Sequence, residues 1–132
     1  MLSDHPITER LDEELVAWMT TVTPSGRPQT SPVWFLREGN ELLVYSLDSA
    51  RSRNISKNPH VSINLNSDRF GSDVVTMEGT ARIDHSTPPA SEHHGYIAKY
   101  GERMSSYGWT PAGFSADYSV PIRVTVARIR AW

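Results

Sequence analysis

The residues best suited to bind a ligand lie in one short stretch, SARSRNISKNP, residues 49–59. It places Arg51 and Arg53 in the first turn of a predicted short helix, with Lys57 one turn later. A helix N-terminus carries a partial positive charge and ordinarily favours acidic side chains. Arginines at this position are therefore expected where an anion completes the turn.

The chemistry of this stretch fits a phosphate group. Ser49 has a hydroxyl suited to an N-cap, and the turn behind it has backbone N–H groups without helical partners. Guanidinium groups beside such donors bind phosphate through bidentate contacts and the helix dipole. Ser46 can add a hydroxyl, and helical spacing predicts one shared face for Arg53, Asn54 and Lys57. The competing interpretation is a solvated basic helix with no ligand.

Composition narrows the classes of function. The 132 residues suit one domain, 1–132, and 13 Lys and Arg against 15 Asp and Glu give a net charge of −2. This balance argues against a general nucleic-acid binder. Without cysteine, the chain has neither disulfides nor thiolate metal sites, which fits a reducing cytoplasm. The first residues lack the apolar run of a signal peptide, and no segment is long and apolar enough to predict a membrane span.

The elements that must position the basic stretch are mostly strands. An apolar pattern at Leu11, Leu15, Trp18 and Met19 predicts a helix over 7–19. Strands are predicted at 20–23, 28–38, 41–47, 60–66, 73–84 and 119–132, and a second helical region at 87–107. Six strands with hairpin-type connections indicate a small, mainly antiparallel barrel.

Two features predict bending in the last two strands. Gly79 lies in the middle of the long strand over 73–84, as at a barrel corner. The apolar alternation of the final strand changes phase after Val126, which predicts a bulge near Ala127.

The motifs carry a resemblance to a known family. The run from PVWF, through a strand ending in Tyr-Ser, into SARSRNISKNP resembles the split β-barrel flavin and deazaflavin oxidoreductases, relatives of pyridoxamine 5′-phosphate oxidase. It is most similar to the branch that uses the deazaflavin coenzyme F420, abundant in actinobacteria, with the usual form A-K-x-R-N-[IL]-x-x-[ND]-P. Arg51 stands where lysine is commoner, which keeps the charge and widens the geometry. The tail IRVTVARIRAW resembles the C-terminal strand of one subgroup.

The resemblance implies a fold and an assembly. The fold is a mainly β (α+β), six-stranded antiparallel split β-barrel of Greek-key type, with two to three flanking helices, like the FMN-binding split barrels. The implied assembly is a homodimer with cofactor in the groove between subunits. The family's phosphate contacts correspond to Ser46, Ser49, Ala50, Arg51, Arg53, Asn54 and Lys57. The strand along the cofactor ring carries Pro32, Val33 and Trp34.

The implied function is an F420-dependent oxidoreductase that reduces an electron-poor organic acceptor such as a quinone, enone or nitroaromatic. The cofactor carries the hydride chemistry, so no catalytic side chain is assigned. FMN in the same phosphate site, and a non-catalytic carrier of F420 or flavin, are the alternatives. Extra cations beyond the cradle favour F420 with its acidic tail; the candidates are Lys57, Arg123, Arg128 and Arg130. An oligonucleotide-binding barrel fits the net acidity poorly.

Several other residues are weighed as site residues. Tyr107 and Trp109, beside a flexible-looking segment over 108–118, are candidates for the acceptor pocket. Trp132 is the third candidate for an acceptor contact, near the partner's cofactor or at the dimer interface. No metal is expected at His93 and His94, because adjacent helical residues point about 100° apart whereas zinc helices use i, i+4 spacing.

Overall fold

The structure is a computed structural model that describes residues 2–132. Met1, part of the predicted domain 1–132, lies outside the described residues. The helices are α1 (Thr8–Glu13), α2 (Ala50–Lys57), α3 (His94–Ser106) and α4 (Pro111–Asp117), with 3-10 turns at Leu2–Asp4 and Ala90–Glu92. The strands are β1 (Ala17–Val22), β2 (Pro28–Val33), β3 (Leu36–Glu38), β4 (Glu41–Ser46), β5 (His60–Leu65), β6 (Val75–Ile83) and β7 (Val120–Ala131).

The strands form one antiparallel sheet in the order β2-β1-β5-β6-β7-β4-β3, which confirms the predicted antiparallel split barrel. The strand count is seven in the described residues rather than six. The strand predicted over 28–38 breaks at Trp34 and Phe35, so β2 and β3 lie at opposite edges of the sheet. The physical reason is that the Phe35 N–H and carbonyl oxygen bond to the Tyr100 hydroxyl, 2.8 and 2.9 Å away, instead of to a strand.

The helix predicted over 7–19 is wrong beyond Glu13. From Ala17 the chain is the strand β1, in which Ala17, Met19 and Thr21 are buried and alternate with half-buried side chains. The strand pairs with β2 on one side and β5 on the other. The apolar positions fit both the helical period of about 3.6 residues and the strand period of about 2 residues. Hydrogen bonding to β2 and β5 stabilises the strand.

The last two long strands bend as predicted. Between β6 and β7 the pairing shifts from Glu78 with Arg128 to Gly79 with Val126, so Ala127 is the extra residue of a bulge. A Cβ atom at Gly79 would lie 2.3 Å from the backbone oxygen of Thr125. Glycine is therefore required here by the close approach of the neighbouring strand.

The helical region after β6 is more extensive than predicted. It begins with the 3-10 turn and continues as α3, and the segment expected to be flexible is the helix α4. The Thr110 hydroxyl caps this helix by accepting from the Gly113 N–H at 3.0 Å, and Pro111 occupies its first turn. The described residues thus have four α-helices rather than two to three.

The buried residues form two clusters. One fills the barrel and includes Met19, Phe35, Ile63, Met77 and Ile122. The other lies between β4 and the helices α3 and α4, and it is rich in tyrosine. No helix in residues 2–132 is long and apolar enough to cross a membrane.

Candidate functional site

Helix α2 begins where its sequence predicts, directly after Ser49. Ser49 is the N-cap, and its backbone N–H donates to the Ser52 hydroxyl at 3.1 Å. The helix stops at Asn58, whose N–H donates to the Asn54 carbonyl oxygen at 2.8 Å, directly before Pro59. These local bonds hold the first turn, with Ala50 and Arg51, in place.

Arg51 reaches two strands that lie apart in the sheet. One terminal nitrogen of its guanidinium donates to the Ser46 hydroxyl at 3.0 Å, at the end of β4, and the other donates to the Ser31 hydroxyl of β2. A guanidinium has five N–H donors, so three remain for other partners. The two serines therefore orient the group without satisfying it.

The positive charge of Arg51 has no carboxylate partner among the described residues. Its Nε atom is buried and has no hydrogen-bond partner in residues 2–132. Burial lowers the pKa of Arg51 below the usual arginine value, and the nearby Tyr118 opposes this shift. A partly buried cation held by neutral hydroxyls is suited to receive an anion.

Arg51 borders a cavity of about 460 Å³. This size is within the range of small-molecule sites. The lining residues are Val16, Pro32, Val33, Trp34, Tyr45, Leu47, Arg51, Tyr96, Tyr107, Trp109, Phe114 and Tyr118. The cavity thus brings together the predicted arginine, the three residues of the predicted ring strand and two of the three candidate acceptor residues.

One wall of the cavity is aromatic and includes Trp34. The Trp34 ring stacks on Tyr100, with centroids 4.6 Å apart and planes 5° apart, and also on Phe114 at 5.5 Å. Trp109 lies 6.0 Å from Trp34 and packs on Tyr107 at 4.8 Å. Trp109 and Tyr107 are 44% and 55% exposed, so they form the open rim of the cavity.

The other predicted phosphate contacts do not converge on this cavity. Arg53 is exposed and lines a separate groove with Asp48 and His85, because residues two apart on a helix point about 200° apart. Lys57 is exposed in the last turn of α2.

Asn54 does not share a face with Arg53 and Lys57, contrary to the helical-spacing prediction. Its side chain is buried, and Nδ2 donates to the Thr21 hydroxyl at 3.0 Å and to Gln29 Oε1 at 2.9 Å. The amide finds these partners on β1 and β2, so it points inward and fastens the helix to the sheet.

Trp132 lies outside the cavity lining. Its backbone pairs with Val74, and its side chain is 71% exposed. The residue thus extends the end of β7, and its predicted place near a partner subunit stays a prediction.

Sequence reasoning missed Ser31, Tyr45, Tyr96, Phe114 and Tyr118 as neighbours of the site. A signal for two of them was present: Thr-Pro at 110–111 is a typical helix start, Phe114 lies on the helix that follows, and Tyr118 is its C-cap four residues later. Their rings stack 4.4 Å apart. No local pattern marks Ser31 as the partner of an arginine 20 residues later.

A second partly buried arginine, Arg123 of β7, has a different environment. Its guanidinium lies 2.9 Å from Glu38, 3.4 Å from Asp84 and 3.7 Å from Glu41. Nε also donates to the Thr87 hydroxyl at 3.0 Å. Arg123 is therefore neutralised within the chain, which argues against its role as a free cation for a cofactor tail.

The two adjacent histidines differ in environment. His93 caps α3, since its Nδ1 accepts from the Tyr96 N–H at 3.1 Å, and its Nε2 lies 3.3 Å from Glu38. His94 is exposed.

Comparison with known proteins identifies the family. The family model for pyridoxamine 5′-phosphate oxidase matches residues 4–132. The chain therefore belongs to this family, as the motifs predicted. No curated protein matches the sequence significantly.

Solved structures agree with the family assignment. A conserved hypothetical protein from Mycobacterium tuberculosis superposes with a TM-score of 0.75 at 20% identity, over 100% of this chain and 85% of that one. An F420 reductase gives 0.66 at 24% identity, over 92% and 94%. The heme storage protein HutZ from Vibrio cholerae gives 0.66 at 19%, over 95% and 91%. At these identities the likeness shows the fold, which proteins of different function share.

Proposed function

We propose that the protein is an F420-dependent oxidoreductase that reduces an electron-poor organic acceptor such as a quinone, enone or nitroaromatic. When bound, the reduced deazaflavin supplies the hydride. The chain's own part is to hold the cofactor's phosphate, support its ring and exclude water. The observation that carries the proposal is the unneutralised Arg51 beside an aromatic cavity.

The residues present fit an anionic cofactor. Arg51 has three unused N–H donors, including the buried Nε. Ser49 and Ala50 belong to the same first turn, where free backbone N–H groups and the helix dipole favour an anion. Arg51 would hold the phosphate, with Pro32, Val33 and Trp34 supporting the ring. Arg53, in its separate groove, is positioned for a more distant part of the cofactor.

Two alternatives use the same site. FMN has a phosphate and a flat ring, and it lacks the acidic tail that distinguishes F420. A carrier would bind either cofactor without turnover. The structural neighbours include an F420 reductase, a FAD-binding protein from Mesorhizobium loti and a heme storage protein, so a carrier is a real competitor.

The proposal includes a homodimer with the cofactor between subunits, in the cytoplasm. The rim of the cavity is apolar and open: Leu47, Tyr107 and Trp109 are 45%, 55% and 44% exposed. Exposed apolar groups clustered around a cavity are typical of a surface that a partner covers. Analytical ultracentrifugation of the purified protein should give about twice the chain's 14.8 kDa mass; a monomer at micromolar concentration contradicts this part.

The deciding experiment is a titration with F420 and, separately, with FMN. Trp34 and Trp109 line the cavity, so binding should quench tryptophan fluorescence. We expect tighter binding of F420, and reduction of at least one acceptor in a panel of quinones, enones and nitroaromatics. Tighter FMN binding would favour the flavoprotein, and binding without any turnover the carrier.

A pair of substitutions tests the phosphate site. Arg51→Ala with Arg53→Ala should weaken F420 binding roughly 10- to 100-fold, because hydrogen bonds to charged groups contribute about 1.5–3 kcal/mol. The single substitutions should show that Arg51 carries most of the loss. Arg27→Ala, at an exposed arginine in the turn between β1 and β2, is the matched control and should leave affinity unchanged. Unchanged affinity in the double variant would remove the phosphate argument.

A further inference from the structure

Two tyrosines one helical turn apart on α3 differ in how their hydroxyls are satisfied. Tyr96 and Tyr100 both have no exposed surface. The Tyr100 hydroxyl accepts from the Phe35 N–H at 2.8 Å, and carbonyl oxygens of Leu15 and Phe35 lie 2.8 and 2.9 Å away to accept its proton. The Tyr96 hydroxyl has no hydrogen-bond partner in the described part of the chain.

An unpaired buried hydroxyl destabilises a protein, because no hydrogen bond offsets the loss of its hydration. A phenylalanine would fill the same space at position 96 without that cost. The Tyr96 ring packs on Tyr45, edge-on at 4.8 Å, and on Tyr100 at 4.9 Å. Core packing alone therefore does not explain why residue 96 is a tyrosine rather than a phenylalanine.

The position of Tyr96 in the structure offers an explanation. The buried side-chain polar atoms without partners in residues 2–132 are Arg51 Nε and Tyr96 Oη, and both residues line the same cavity of about 460 Å³. Tyr118 also lines it and lies close enough to affect the pKa values of both Arg51 and Tyr96. One cavity thus concentrates the unused hydrogen-bonding capacity of the described core.

The cavity's chemistry defines the ligand. Its walls are flat rings, Trp34, Trp109 and Phe114, which favour a flat conjugated ligand. Its orphaned polar atoms can donate, and no carboxylate in the described residues lines it. A ligand with hydrogen-bond-accepting oxygens is therefore favoured over a cationic one.

We propose that this cavity binds a planar conjugated ring, and that a carbonyl-type oxygen on the ring accepts a hydrogen bond from the Tyr96 hydroxyl. The inference deepens the proposed function and rests on it for the role of the ligand. Such oxygens occur on the deazaflavin or flavin ring and also on a quinone or enone acceptor. The experiment separates these two sources.

The test compares Tyr96→Phe with its matched control, Tyr100→Phe, in the full-length protein. Thermal unfolding comes first. Tyr96→Phe should keep or raise the melting temperature, because it removes an unpaired group, whereas Tyr100→Phe should lower it by several degrees. If Tyr96→Phe is destabilising to the same extent as Tyr100→Phe, its hydroxyl is structural and the proposal is overturned.

Calorimetric titration then uses three probes: F420, FMN and 1,4-naphthoquinone. For Tyr96→Phe we expect about threefold to tenfold weaker binding of at least one probe that the unmodified protein binds. Loss confined to F420 or FMN assigns the oxygen to the cofactor ring, and loss confined to naphthoquinone assigns it to the acceptor.

The titrations distinguish failure of the cavity assignment from failure of the proposed function. If F420 binds and every affinity is the same in Tyr96→Phe, the cavity assignment is wrong and the proposed function stands. If naphthoquinone binding depends on Tyr96 but neither F420 nor FMN binds, the cavity assignment stands and the cofactor proposal falls. If no probe binds the unmodified protein, the cavity assignment is wrong.

Discussion

Arg51 and Arg123 are both partly buried, yet their surroundings differ. Arg123 lies among three carboxylates and a threonine hydroxyl, which neutralise its charge within the chain. Arg51 has only the hydroxyls of Ser31 and Ser46, and its Nε is unpaired. The comparison teaches that residue type and burial do not define a role: a cation that the chain neutralises stabilises the fold, and one that the chain leaves unneutralised is available to a ligand.

The largest expected effect concerns stability on the Arg123 side. Arg123→Met removes the cation that contacts Glu38, Glu41 and Asp84, while Arg82 still pairs with Glu41 and Asp84. The free energy of unfolding should therefore fall by about 1–2 kcal/mol, below the loss for a fully buried pair, because these groups are partly exposed. Urea denaturation at pH 7 measures it as a shift in midpoint at constant slope.

Arg51→Met is the counterpart and should lower the same free energy by less than about 1 kcal/mol, because relief from burying a charge offsets two lost hydrogen bonds. Equal losses in the two variants would contradict the distinction between them.

A smaller effect should separate the two arginines by ligand. Inorganic phosphate should stabilise the unmodified protein through Arg51 by roughly 1 kcal/mol when its concentration is several times the dissociation constant, and a higher melting temperature should report this. The shift should persist in Arg123→Met and vanish in Arg51→Met. Chloride at matched ionic strength controls for screening. A phosphate shift that survives in Arg51→Met would place the anion elsewhere.

A pH-dependent effect concerns a third cation, Lys99. Its ammonium group donates to the Phe35 carbonyl oxygen at 2.9 Å and lies 4.0 Å above the Phe35 ring, and burial lowers its pKa to about 8. Since its ordinary pKa is 10.5, the unfolded chain binds the proton more tightly. The penalty for burying the charged form is full below pH 8 and fades toward pH 10.5, so this group makes stability rise with pH across that window.

Urea midpoints for the unmodified protein and Lys99→Met between pH 7.5 and 9.5 test this. Tyrosine ionisation cancels in this comparison because both proteins have the same tyrosines; burial raises the pKa of Tyr45 to about 12, and the unfolded tyrosines titrate near 10. The unmodified protein should gain stability relative to Lys99→Met as pH rises. A pH-independent difference between the two would show that Lys99 carries no such penalty.

Much of the fold was predictable because it depends on local rules. The cap at Ser49 and the bulge at Ala127 each follow from the conformational preferences of a few neighbouring residues. The helix prediction over 7–19 was wrong beyond Glu13 because the apolar residues fit both a helical and a strand periodicity. Pairing with strands distant in sequence favours the strand.

The site was predictable in part. The basic helix and the PVW strand were recognised, and the structure brings Arg51, Pro32, Val33 and Trp34 to one cavity. Arg53 and Asn54 were grouped with it because a linear motif contains no information on which side of a helix the sheet will cover. The aromatic residues that α3 and α4 contribute to the cavity were mostly missed, since they lie about 60 to 80 positions after Trp34 in the sequence.

By itself, the sequence determined that an antiparallel barrel carries a short basic helix with a capped first turn, because turn chemistry, capping and alternation act over a few residues. The tertiary structure decided what that helix's cations do. Arg51 lies against two hydroxyls and an aromatic cavity, and Arg123 lies among carboxylates, because strands distant in sequence supply their neighbours. A charge becomes available or neutralised only through groups that folding brings to it.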